Sequence, residues 1–186
     1  MAGEIDAKRS AGQIGTNPID EEGTIMVKAG DTLPADAKLM EMGEAGPKPV
    51  TVGELTKGKT IVLFAVPGAF TPTCSMKHLP GFVQKSGEIR AKGVDEIVCL
   101  SVNDAFVMGA WGKDQKADGK VRMVADGNGE LTKSLGLEMD ASGFGMGHRS
   151  KRYAMIVKDG KVTELLVEPA GGLNVSSAES VLGKLA

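Results

Sequence analysis

The chain has 186 residues, 41% of them hydrophobic and 25% charged, with a net charge of -2. That length suits one domain with a sizeable core, and the near-neutral balance, without a basic stripe, argues against a nucleic-acid partner. Two cysteines, Cys74 and Cys99, with no CxxC, exclude a disulfide-stapled scaffold, a Cys-rich zinc site and a dithiol reductase.

Residues 1–24 are polar and without periodicity, so they read as a flexible N-terminal arm; residues 25–186 read as a single domain. The arm has no signal-peptide apolar segment. Its Glu4, Asp6, Asp20, Glu21 and Glu22 are foreign to an acid-poor transit peptide. No run in the chain is apolar enough to span a bilayer. A cytoplasmic, reducing setting without a membrane partner is therefore expected.

Residues 25–28 and 37–42 have the composition of short strands. Thr51 and Glu54 have the spacing of a capping box, which predicts a short helix. The run 60–66 (TIVLFAV) is apolar without alternation, as a central strand covered on both faces would be; the run 96–102 has the same character. Between them Leu79, Phe82, Val83 and Ile89 share one helical face, with Pro80 expected to kink or break the helix. Strand, helix, strand of this kind predicts a parallel βαβ unit. Asn103 and Asp104 are placed to cap a helix carrying Phe106, Val107, Ala110 and Trp111. A strand over 121–125 and a short helix over 129–135 follow. Asp159-Gly160, between two strand-like runs at 152–158 and 161–167, is a hairpin signal. Ser176 and Glu179 form a second capping-box pattern, ahead of a helix with Ala178, Val181, Leu182 and Leu185 on one stripe. The sum is an α/β domain: a mixed sheet, parallel at its centre, flanked by helices on both faces.

Residues 67–74 (PGAFTPTC) follow the first central strand, where sites in α/β sheets form. Thr71 is a good N-cap and Pro72 a good first helical residue. Cys74 then sits in the first turn, among amides that lack intrahelical partners. The thiolate is the reactive form of cysteine. Moving an ordinary thiol from a pKa of about 8.5 to about 6 takes about 3.4 kcal/mol. A helix N-terminus supplies at most about 2 kcal/mol, and burial opposes ionisation. A fixed cation is therefore required nearby, and Arg149, Lys151 and Arg152 are the candidates. Cys99, inside VCLSV, reads as a packing residue.

Three other patterns are weaker. Residues 53–60 satisfy G-x-x-x-x-G-K-[ST], but they end a helix and open a strand, the reverse of a phosphate loop. The glycines at 143, 145 and 147 precede a strand and read as a flexible lead-in. His78 and His148 read as surface side chains without metal-ligand spacing. A hydrolase pairing Cys74 with His148 is an enzymatic rival, and a redox sensor passing Cys74 oxidation to a partner is a non-enzymatic one.

The spacing P-x-x-x-T-x-x-C, with Pro67, Thr71 and Cys74, resembles the active-site motif of peroxiredoxins. The longer run FAVPGAFTPTCSMKHLPGF, with LSVNDAFVMGAW downstream, is similar to their atypical, type II subfamily from about Gly30 onward. The resemblance implies a thioredoxin-like fold. It makes Cys74 the peroxidatic nucleophile, Thr71 the site hydroxyl, Pro67 the shielding proline and Arg152, ahead of Tyr153, the essential arginine. Arg149 and Lys151 are then a solvated basic turn. The substrates implied are hydrogen peroxide and alkyl hydroperoxides, with no metal or organic cofactor. Where some members carry a resolving cysteine before the last helix, this chain has 172–176 (GLNVS). An intramolecular disulfide would have to draw Cys99 out of its strand. The resemblance thus implies reduction by glutaredoxin with glutathione, or by thioredoxin, and a homodimer.

Overall fold

The computed structural model describes residues 17–19, 23–169 and 171–185. In chain order the strands are β1 (Lys38–Gly43), β2 (Gly46–Thr51), β3 (Thr60–Val66), β4 (Glu96–Ser101), β5 (Arg122–Ala125), β6 (Glu138–Asp140), β7 (His148–Ser150), β8 (Tyr153–Lys158) and β9 (Lys161–Val167). The helices are α1 (Val52–Thr56), a π-helical turn (Cys74–His78) running into α2 (Leu79–Gln84), then α3 (Ser86–Ala91), α4 (Ala105–Asp114), α5 (Glu130–Ser134) and α6 (Ala178–Lys184).

Seven strands form one sheet in the order β2-β1-β5-β4-β3-β8-β9, and β6 pairs with β7 in a separate ribbon. β3, β4 and β5 are mutually parallel, whereas β8 runs antiparallel to β3 and β1 antiparallel to β5. The unbroken apolar run of β3 has a simple cause. Val62, Phe64 and Val66 enter the apolar cluster under α2, α3, α4 and α6, while Ile61, Leu63 and Ala65 enter the one on the opposite face with α1 and α5. Both sides of the strand are covered, as in the thioredoxin-like fold.

Several local expectations hold at residue level. Thr51 Oγ1 accepts from the Glu54 amide at 3.1 Å, and the Thr51 amide donates to Glu54 Oε2 at 2.7 Å. Asp104 caps α4 by accepting from the Val107 amide at 2.8 Å. Asp159 (φ 47°) and Gly160 (φ 80°) make the tight turn between β8 and β9.

Others do not. Residues 25–28 are not a sheet strand: Ile25 forms an isolated bridge with Ile19, and the Val27 amide donates to Leu135 O at 2.9 Å. The Met26 and Lys28 amides likewise go outside the sheet, to Pro18 O at 2.8 Å and Asp31 Oδ2 at 3.0 Å. β2 carries Pro47 and Pro49 and was not expected; as the edge strand it has a free side on which missing amides cost nothing. The buried face of α4 is Ala105, Met108, Trp111 and Gly112, with Phe106 left 63% exposed. Glycines let this helix come close. A Cβ at Gly109 would lie 2.8 Å from Met42 Cβ, and one at Gly112 2.7 Å from Met123 Cγ. Ser177, not Ser176, caps α6, accepting from the Ser180 amide at 3.2 Å. Of the two outcomes expected of Pro80, the break does not occur; the helix instead departs from α geometry in the turn just before it. The Leu79 amide reaches back to Cys74 O in a π turn, and the break comes at Lys85 (φ -96°, ψ 9°).

Candidate active site

Residues 67–71 lead out of the carboxyl end of β3 and the helical turns begin at Pro72. Thr71 starts the helix through its backbone, its carbonyl accepting from the Ser75 amide at 2.9 Å. Its hydroxyl does not cap. It donates to Gly68 O at 2.7 Å, closing the loop on itself. A Cβ on Gly68 would press on Thr71 Cγ2 at 3.1 Å and on Arg149 Nη1 at 3.2 Å, so glycine is what lets these groups converge.

Cys74 is fully buried, on the core-facing side of the π turn. Arg152 reaches it from the start of β8: Nη2 donates to Cys74 Sγ at 3.1 Å. The other arm, Nη1, lies 2.8 Å from His78 Nδ1. His78 Nε2 is 2.9 Å from the carbonyl of Ser176. Because a carbonyl only accepts, Nε2 carries the proton and Nδ1 accepts from Arg152. Burial, reinforced by the Arg152 charge, pushes the His78 pKa down to about 4, so the ring is neutral at neutral pH.

His78 is 1% exposed, tilted against Phe64 (5.0 Å between centroids) and Phe82 (5.6 Å). The expectation of a surface side chain is thus wrong, and its signal was available. Cys74 and His78 are four residues apart, so one turn brings them to the same side. The loop before α6 supplies the other half of the support. Glu168 Oε1 accepts from the amides of Asn174 (2.7 Å) and Ser176 (2.9 Å) and from Ser176 Oγ (2.9 Å). Burial disfavours that carboxylate's charge, but these donors outweigh it and hold its pKa below the usual range. The Glu168 amide donates to Arg152 O at 3.0 Å, closing a ring of contacts through Arg152, His78, Ser176 and Glu168.

Arg149 is not a solvated turn residue. It is half-buried, Nε donating to Met146 O at 2.9 Å and Nη1 reaching Pro67 O at 3.5 Å. It therefore braces the loop ahead of Cys74 instead of touching the sulfur. Lys151 is half-buried too, its amide tied to Leu137 O at 2.8 Å. Pro67, Lys151, Arg152 and Glu168 line a cavity of about 910 Å³. His148 is exposed and faces Glu138 Oε1 at 3.3 Å, which removes the basis for a Cys74–His148 hydrolase. Cys99 lies mid-strand opposite Phe64 and Met123. It is fully buried, and burial raises its thiol pKa well above the ordinary value. Both cysteines are free.

A helix-start cysteine held by a guanidinium beyond the carboxyl end of a central strand of a thioredoxin-like sheet defines a thiol-based redox enzyme. The comparisons agree. The Redoxin family model matches residues 28–182. The chain is 50% identical over 165 residues to Peroxiredoxin-2E, chloroplastic, of Arabidopsis thaliana, spanning 87% of this chain and 70% of that protein. It is 53% identical over 163 residues to Peroxiredoxin-2E-2, chloroplastic, of Oryza sativa subsp. japonica, spanning 86% and 72%. The crystal structure of reduced Prx3 in complex with H2O2 from Vibrio vulnificus superposes with a TM-score of 0.83 at 52% identity, covering 87% of this chain and 100% of that one. The chain belongs to the peroxiredoxin family, in its type II branch, and is a thiol-dependent peroxidase.

Proposed function

We propose that Cys74 is the sulfur that reduces hydrogen peroxide and alkyl hydroperoxides, with Arg152, Thr71 and Pro67 completing its site. The observation that carries this is the 3.1 Å contact from Arg152 Nη2 to Cys74 Sγ. The thiolate attacks the terminal peroxide oxygen. The S–O bond forms as the O–O bond breaks, sulfur is oxidised by two electrons to a sulfenic acid, and the departing oxygen leaves as water or alcohol after gaining a proton. Charge moves from sulfur to that oxygen, and a guanidinium already in place favours the state in which both carry part of it. Thr71 has committed its proton to Gly68 O, so its oxygen remains as an acceptor for the peroxide O–H. Pro67 walls the pocket against water.

The test is single-turnover peroxide consumption. Cys74→Ser abolishes it, and Cys99→Ser leaves the oxidative step nearly intact, because Cys99 sits within β4 and is not the sulfur that Arg152 holds. Peroxide consumption by Cys74→Ser would overturn the assignment.

Regeneration is proposed to use glutaredoxin with glutathione, or thioredoxin, without an internal disulfide. Cys99 is locked into the β3–β4–β5 ladders, and reaching Cys74 would cost those hydrogen bonds. Steady-state assays with each reductant side by side decide between them. A homodimer fits the exposed side chains beside the site: Phe70 is 54%, Met76 75% and Phe106 63% exposed. Phe70 also stands 6.4 Å from Trp111, whose Nε1 donates to Ser75 Oγ. Sedimentation of Phe106→Glu against the unchanged protein tests that face. The compartment is proposed to be the cytoplasm, a reducing setting that suits a chain whose two cysteines are both free. Two relatives are named as chloroplastic, and cell fractionation separates the two settings. No helix among the described residues is long and apolar enough to cross a membrane.

A further inference from the structure

We infer that His78 is a positioning residue for the reaction: its ring takes one arm of the Arg152 guanidinium, so that the other arm is committed to the Cys74 sulfur, and the loop at 174–176 sets which ring nitrogen does so. The inference rests on Cys74 being the reacting sulfur.

A guanidinium at the mouth of a cavity is free to turn between several acceptors. Arg152 is half-buried and lines the 910 Å³ cavity, so water on that side competes for its N–H groups. His78 removes this freedom. With Nη1 on His78 Nδ1 at 2.8 Å, the planar fork leaves Nη2 on the sulfur side, where it meets Sγ at 3.1 Å. The acceptor exists only in one tautomer. An imidazole protonated on Nδ1 would present a donor to a donor and turn Arg152 away. The Ser176 carbonyl at 2.9 Å from Nε2 selects the right form.

That carbonyl is itself fixed. Glu168 Oε1 takes the amides of Asn174 and Ser176 and the Ser176 hydroxyl together. Glu168 follows β9 and Arg152 precedes β8, next to the paired Tyr153 and Val167. The same β8–β9 hairpin end thus holds both the arginine and the carboxylate that aims its support. The aromatic wall of Phe64 and Phe82, stacked 4.0 Å apart, keeps water from the ring. A low ring pKa agrees with this placement, since a charged imidazole there would face Arg152 directly.

Substitutions separate this role from plain packing, because asparagine places a carbonyl oxygen near the Nδ1 position, glutamine reaches the Nε2 position only, and leucine fills the space without polar groups. His78→Asn is expected to oxidise with peroxide within about fivefold of the unchanged protein, whereas His78→Gln and His78→Leu fall by on the order of 10- to 100-fold, the worth of a hydrogen bond to a charged group. Equal rates in all variants, or Asn no better than Leu, overturn the inference. A measurement independent of variant folding is the ¹⁵N spectrum of the unchanged protein at neutral pH: Nε2 protonated and Nδ1 bare is expected, and the opposite tautomer overturns the inference. If Cys74→Ser is inactive while His78→Leu is fully active, this inference fails alone; if Cys74→Ser still consumes peroxide, the site assignment fails and this inference with it.

Discussion

Cys74 and Cys99 are equally hidden from solvent and belong to the same apolar cluster, yet their surroundings differ in kind. Cys74 stands where a helix begins and a guanidinium arrives from β8. Cys99 stands in the middle of β4, hydrogen-bonded into ladders with β3 on one side and β5 on the other. A strand interior has spent its amides on its neighbours, and its side-chain surroundings here are apolar. A helix start has amides to spare. Burial alone therefore says little about a thiol; what matters is whether polar groups are buried with it. Around Cys74 they are, in a connected set of Arg152, His78, Ser176 and Glu168.

The sharpest way to break the contrast is to remove the cation. Arg152→Met should slow oxidation by peroxide about a hundredfold or more, the usual cost of losing a donor aimed at developing charge. Arg149→Met should cost much less, since the Arg149 guanidinium donates to the carbonyls of Met146 and Pro67 and not to the sulfur. Stopped-flow oxidation of the two variants tests this, and equal losses would remove the distinction between the arginines.

A smaller effect separates the regions by acid. His78 stays neutral in the fold down to about pH 4, whereas in the unfolded chain it takes a proton near pH 6.5. Its folded pKa is depressed, so the unfolded state binds the extra proton between these values and stability falls as the pH drops through that window. The loss is about 3 kcal/mol. Glu168, also depressed, adds a loss in the same direction at the acid end. Urea unfolding at intervals from pH 7 to pH 4 should show this slope, and His78→Leu should flatten it; an unchanged slope in that variant would sever the link to the ring.

The smallest effect belongs to Cys99. Its thiol pKa is raised in the fold, so the stability it confers is present at neutral pH and is lost as the pH rises past the ordinary thiol range. Cys99→Val, close in volume, should cost less than about 1.5 kcal/mol at neutral pH and should lessen the alkaline loss. Alkaline unfolding curves of the two proteins check it.

The sequence by itself determined the strands that carry the sheet's centre, the caps at Thr51 and Asp104, the turn at Asp159–Gly160 and the placing of Cys74 at a helix start. Each depends on contacts within a few residues, or on an apolar run that only a strand covered on both faces accommodates. It did not determine β2, whose prolines hide an edge strand, nor the inward face of α4, where glycines rather than bulky residues meet Met42 and Met123. Nor did it reveal the burial of His78 or the reach of Arg149 to Pro67. Those were decided by tertiary structure, because Arg152, His78 and Ser176 are separated by dozens of residues in the chain. Only the closing of the β8–β9 hairpin beside the helix after β3 brings a guanidinium, an imidazole and a carbonyl within hydrogen-bonding distance of one another.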